Sequence, residues 1–151
     1  MSSVHPIDQP TYGMKQKYDN YIGGQWIAPK SGDYFENTSP VNGQMMNLIP
    51  QSQAEDIELA LDAAHEAAPS WGKTSVAERS AVLMKIADRM EENLEQLATI
   101  ETWDNGKSIR ETMAADLPLA IDHFRYFASV IRAEAGEVSD LDANTVSMEV
   151  H

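Results

Sequence analysis

Asn105-Gly106 is a helix stop signal around which the chain is organised. Glycine takes the left-handed backbone conformation without a Cβ clash, so Asn-Gly after a helical apolar pattern stops the helix. Ser108 and Glu111 then have the spacing of a capping box, in which the hydroxyl accepts from an orphan amide and the carboxylate reaches back to the first one. One helix therefore ends in Glu101-Thr102-Trp103-Asp104-Asn105-Gly106-Lys107, ETWDNGK, and another starts almost at once. The same spacing recurs at Ser52/Glu55, Ser75/Glu78 and Asn93/Gln96, which predicts a helix-rich middle. What repeats is capping chemistry and not a sequence unit.

The apolar residues follow these signals. Ile57, Ala60, Leu61 and Ala64 form the predicted inward face of a first helix ended by Pro69, and Leu83, Ile86, Ala87 and Met90 that of a second. Leu94, Leu97 and Ala98 belong to a shorter third. Met113, Leu117, Ile121, Phe124, Ala128 and Ile131 share one face of a segment from Ile109 to Ala135, about 40 Å long, with a kink expected at Pro118. Upstream the pattern is β-like: Tyr18 to Ile22, a Gly23-Gly24 turn, Gln25 to Ala28, Tyr34 to Thr38 and, after Val41-Asn42-Gly43, Met45 to Ile49. So small a sheet must lie on something apolar.

Residues 1–17 are polar and aperiodic and read as an arm. Residues 18–136 hold the hairpin and helices. In residues 137–151, Glu137 to Asn144 is acidic and turn-rich, and Thr145 to His151 alternates like a strand with no partner in sight. The expected fold is mainly α-helical with a small N-terminal β-hairpin sheet, an α+β arrangement.

Composition narrows the function. Eleven Lys and Arg against 24 Asp and Glu give a formal net charge of −13, which disfavours nucleic acid and anionic membrane surfaces as partners. There is no cysteine, so disulfides, thiolate metal sites and a thiol nucleophile are excluded for these residues. No apolar run approaches the roughly 20 residues of a membrane span, and the first ten residues lack a signal-peptide layout, so the cytoplasm is the expected location. His5, His65, His123 and His151 show no metal-ligand spacing, and no G-x-G-x-x-G or Walker loop is present. Trp26, Trp71 and Trp103 are expected to anchor packing.

ETWDNGK followed by ADLPLAIDHFRYFAS at Ala115 to Ser129, with IGGQW at Ile22 to Trp26 and SPVNGQ at Ser39 to Gln44, resembles the N-terminal part of the NAD(P)-dependent aldehyde dehydrogenase superfamily. Within it the motifs are most similar to the branch oxidising acetaldehyde and other short aliphatic aldehydes. The resemblance covers about Tyr18 to His151. It implies that residues 18–136 are part of an α/β Rossmann-like cofactor domain and that residues 137–151 begin an oligomerisation strand. It also implies NAD or NADP as cofactor of the full-length enzyme, a small aldehyde as substrate, and a homo-oligomer, dimer or tetramer.

Family members attack the aldehyde with a cysteine thiolate, pass hydride to NAD(P)⁺ and hydrolyse the thioester with a Glu-activated water. None of these residues can be assigned here, so no catalytic or cofactor-binding residue is expected in this chain, and no bound cofactor for the chain alone. The resemblance does imply a Na⁺ or K⁺ site at Thr38 and Asp104, formed by backbone carbonyls with the acid and completed in the family by a further downstream ligand, so that it would be incomplete in these residues. The bland reading of Asp104 is a short carboxylate bonding amides at a helix end. Two further readings of the whole chain stay open: a truncated interaction protein that associates with full-length subunits, and an unrelated acidic helical binding module.

Overall fold

The computed structural model describes residues 13–149. His5, His151 and most of the arm expected over 1–17 lie outside those residues. The first hairpin joins β1 (Asn20–Ile22) to β2 (Gln25–Ile27), and its turn residues Gly23 and Gly24 have φ of 57° and 80°, which only glycine adopts without strain. The second pairs β3 (Tyr34–Thr38) with β4 (Met45–Pro50), and its register shifts between Asn37 and Thr38. The expected single sheet is thus two separate hairpins. Residues 16–18 run beside β4, with the Tyr18 amide donating to the Leu48 carbonyl and the Leu48 amide to the Gln16 carbonyl, each at 2.9 Å.

Helix α1 (Ala54–Trp71) corrects three expectations. Its cap is Gln53 with Asp56, not Ser52 with Glu55. The Asp56 carboxylate is buried and accepts from the amides of Gln53 at 2.8 Å and Lys30 at 2.9 Å, while the Ser52 hydroxyl donates to Asn20 Oδ1. Those backbone donors, Gln53 first, hold the Asp56 carboxyl below its ordinary range. Pro69 does not end the helix, because so near the end a missing amide removes one bond and no further turn depends on it. The predicted inward face is open: Ile57 is 55% and Leu61 47% exposed, β1 being the main described neighbour of this helix. Trp26 and Trp71 are also exposed and anchor no core; Lys15 lies 4.1 Å over the Trp26 ring.

The core lies between the later helices. At the start of α2 (Val76–Glu92) the box of Ser75 and Glu78 is complete, and Glu78 is held below its ordinary range by the Ser75 amide and hydroxyl. Before α3 (Leu94–Asn105) the expected box of Asn93 and Gln96 is absent. Asn93 also closes α2, and its side-chain amide donates to the Arg89 carbonyl at 2.8 Å instead.

The long segment after Ser108 is also not one kinked helix. A single turn α4 (Ile109–Glu111), capped by the Ser108 hydroxyl, runs into a π-helical turn (Thr112–Asp116) and then α5 (Leu117–Ala133). The Leu117 amide donates five residues back to the Thr112 carbonyl, so the helix widens before Pro118, whose ring would otherwise press on the preceding turn. The expected α5 face is correct: Leu117, Ile121 and Ala128 are buried, with Met113, Phe124 and Ile131 half-buried.

Helices α2 and α5 pack antiparallel. The Ser80 hydroxyl donates to the Ala128 carbonyl at 2.7 Å, so backbones approach closely where Ser80, Ala87 and Ala128 are small. At one end Arg125 bonds Glu91 at 2.6 Å and Asp88 at 3.1 Å, which raises the guanidinium pKa and lowers that of Glu91. The last element corrects the unpaired strand: β6 (Thr145–Met148) pairs antiparallel with β5 (Val138–Asp142), drawn from the stretch expected to be turns. Asp142 supplies the turn, accepting from the Asn144 amide at 2.8 Å and the Thr145 hydroxyl at 3.1 Å.

Candidate functional site

ETWDNGK is where three parts of the chain meet. Gly106, at φ 81°, closes α3, and its amide donates to the Thr102 carbonyl at 2.9 Å. The Asn105 side chain turns the backbone onward by accepting from the Lys107 amide at 2.8 Å. Lys107 reaches the π-helical turn through Asp116 at 2.7 Å, a bond that holds its ammonium above the ordinary range. Thr102 meets the buried Thr112 hydroxyl to hydroxyl at 3.0 Å.

The second hairpin docks on the same helix end. Thr38 and Asp104 are both exposed, and the residues on either side of Thr38 bond to the end of α3. Asn37 donates its side-chain amide to Asp104 Oδ1 at 2.8 Å, and the fully buried Ser39 donates its hydroxyl to the Trp103 carbonyl. The Ser39 to Gln44 turn is itself fixed by the Ser39 amide on the Gln44 carbonyl at 2.9 Å and the Gly43 amide on the Ser39 carbonyl at 2.8 Å. Sequence reasoning missed Asn37, Ser39 and Asn47, whose burial does not follow a two-residue alternation along β3 and β4 and so left no periodic signal.

This junction gathers oxygen atoms. The carbonyl end of α3 carries the negative end of the helix dipole, and Asp104 adds one carboxylate. Such a donor set, hard oxygens with one formal charge, fits an alkali cation better than Zn²⁺ or Ca²⁺, which call for imidazole or thiolate or for several carboxylates. Among the described residues no group of three or more His, Cys, Asp and Glu lies together, and His65 and His123 are exposed on different helices.

The described sheets differ from those of dinucleotide-binding folds. Binding of that kind uses parallel strands with a glycine-rich turn into a helix, whereas each sheet here is a two-stranded antiparallel hairpin. No described helix is long and apolar enough to cross a membrane.

Comparison with known proteins decides what kind of chain this is. A family model described as "Aldehyde dehydrogenase family" matches residues 26–151. The chain belongs to the aldehyde dehydrogenase family. An aldehyde dehydrogenase of Deinococcus radiodurans is 64% identical over 137 residues, covering 91% of this chain and 27% of that protein. A long-chain-aldehyde dehydrogenase of an Acinetobacter species is 61% identical, covering 98% of this chain and 30% of that protein. Among solved structures, PnpE in complex with nicotinamide adenine dinucleotide superposes with a TM-score of 0.84 at 34% identity, over 89% of this chain and 27% of that one. An NAD-dependent aldehyde dehydrogenase from Sinorhizobium meliloti gives 0.83 at 28% identity, over 93% of this chain and 29% of that one. The chain thus spans under a third of the length of these relatives, as a mainly helical α+β portion of the aldehyde dehydrogenase architecture.

Proposed function

We propose that this chain is the N-terminal structural portion of an NAD(P)-dependent aldehyde dehydrogenase that oxidises aliphatic aldehydes to carboxylic acids, and that alone it turns over no aldehyde. The carrying observation is the 64% identity to an aldehyde dehydrogenase of which the chain matches 27%. In support, these 151 residues contain no cysteine to serve as the family's thiolate. Nucleophile, base and the nicotinamide site would come from residues beyond those matched. Residues 18–136 would pack on the cofactor domain, residues 137–151 would open an oligomerisation strand, and the whole enzyme would be a cytoplasmic homo-oligomer.

The ETWDNGK junction is the part this chain contributes to rigidity. It fixes the second hairpin against α3 and α3 against the π-helical turn, and Thr38 with Asp104 would hold Na⁺ or K⁺ there. Aldehyde length would be set mostly by residues of the full enzyme beyond those matched here.

A chimera tests the reading. The aligned segment of the Deinococcus radiodurans relative is replaced by this chain, and aldehyde-dependent NAD⁺ reduction is measured over a series of chain lengths. Activity within about tenfold of the parent, a barrier change of about 1.4 kcal/mol, is expected. A soluble, assembled chimera slower by more than about a hundredfold on every aldehyde would contradict the assignment.

A further inference from the structure

We propose that the side-chain oxygen of Asn47 is a ligand of the alkali cation held between the second hairpin and the C-terminal end of α3, an inference that rests on reading Thr38 and Asp104 as a cation site. Asn47 is 4% exposed, and its Oδ1 has no hydrogen-bond partner. Buried side-chain oxygens are almost always paired, so an orphan asks for an explanation. The other buried unpartnered atoms among the described residues, Asn20 Nδ2 and Arg79 Nε, are donors and cannot face a cation. Asn47 Oδ1 is the acceptor.

Its place in the sheet aims it at the junction. Asn47 lies directly opposite Asn37 in the β3–β4 ladder, so the two side chains share a face at a Cα separation of about 4.5–5.5 Å. Asn37 shows where that face points, because its amide reaches Asp104 Oδ1 at 2.8 Å. The amide of the residue opposite Asn47 is thus committed to the carboxylate. Asn47 Oδ1 and the Asp104 carboxylate are therefore two acceptors facing one region, an arrangement that a small cation between them stabilises and that apolar contact would not. With a single carboxylate, the set suits one positive charge. The register irregularity between Asn37 and Thr38 fits the same picture, since a bulge re-aims the residues that follow it.

The experiment is thermal unfolding of the 151-residue chain in sodium, potassium and tetramethylammonium chloride at equal ionic strength, with sodium NMR line broadening as a direct readout of binding. The wild-type midpoint is expected to rise in Na⁺ or K⁺ relative to tetramethylammonium. Asn47→Leu, close in volume but lacking the oxygen, is expected to abolish that increment and weaken cation binding at least about tenfold. Absence of any cation effect on the wild-type chain overturns the cation site itself and the ligand role with it. A cation effect that Asn47→Leu leaves intact overturns the ligand role and spares the site. Should Asn47→Leu fail to fold, Asn47→Asp keeps the oxygen and adds charge; tighter binding is expected, and unchanged or weaker binding overturns the proposal.

Discussion

Ile121→Ala is expected to destabilise the chain by about 2–5 kcal/mol, the range for deleting a large aliphatic side chain from a packed core. Ile121 is 5% exposed on α5, the helix whose main partner is α2, and the described core has few large side chains besides Leu117. Much of the interface is small residues in close approach, Ala87, Ser80 and Ala128, which cannot expand to fill a void. Against a typical total of about 5–15 kcal/mol, the loss would take a large share of the stability. Urea unfolding checks it: the midpoint should fall with little change in slope. Leu119→Ala on the same helix is the control, because Leu119 is 56% exposed and its truncation should move stability by no more than about 0.5 kcal/mol. Equal effects at the two positions would show that α5 does not bury the face described.

Gly106→Ala is expected to cost about 1–2 kcal/mol for placing an L-residue in the left-handed region, with a further cost from contact. The backbone has φ 81°, and a Cβ at this position would lie 3.2 Å from Pro40 Cγ. Pro40 belongs to the turn that docks on α3, so the contact pushes the hairpin away from the helix end and weakens the Ser39 to Trp103 and Asn37 to Asp104 bonds. Gly106→Val should cost more, because a branched side chain tolerates positive φ less well. Gly43→Ala has a similar φ of 71° with open space around it, so it isolates the backbone cost from the contact with Pro40. Urea midpoints of the three variants should therefore fall in the order Gly43→Ala, Gly106→Ala, Gly106→Val, from smallest loss to largest.

The elements with local chemical signals were legible. Gly106, the Ser75 box and the α5 face are written in residues that act on their own neighbours, and the structure places them as the sequence implied. The departures come from partners distant in sequence. Asp56 displaced Glu55 as the capping acid because it also receives the Lys30 amide, which no spacing rule reveals. Asn93 failed as a capping residue because it closes the preceding helix at the same time. The π-helical turn answers Pro118 upstream of it, and an interior proline signals a disturbance without saying which form it takes. The strand Val138–Asp142 was hidden by its acids, which are tolerated because both faces of that hairpin are exposed.

The junction was half legible for the same reason. Asp104 and Thr38 stood out only through the family resemblance, while Asn37, Ser39 and Asn47 gain meaning once the ladder register sets them against the end of α3.

The most direct single measurement is the reduction of NAD⁺ and of NADP⁺ by the purified 151-residue chain in the presence of acetaldehyde, followed through the absorbance of the reduced nicotinamide. The expected result is no rate above that of a mock preparation, since a chain without cysteine has no thiolate to attack the aldehyde. An aldehyde-dependent rate that scales with the concentration of the chain would contradict its role as a structural portion of the enzyme.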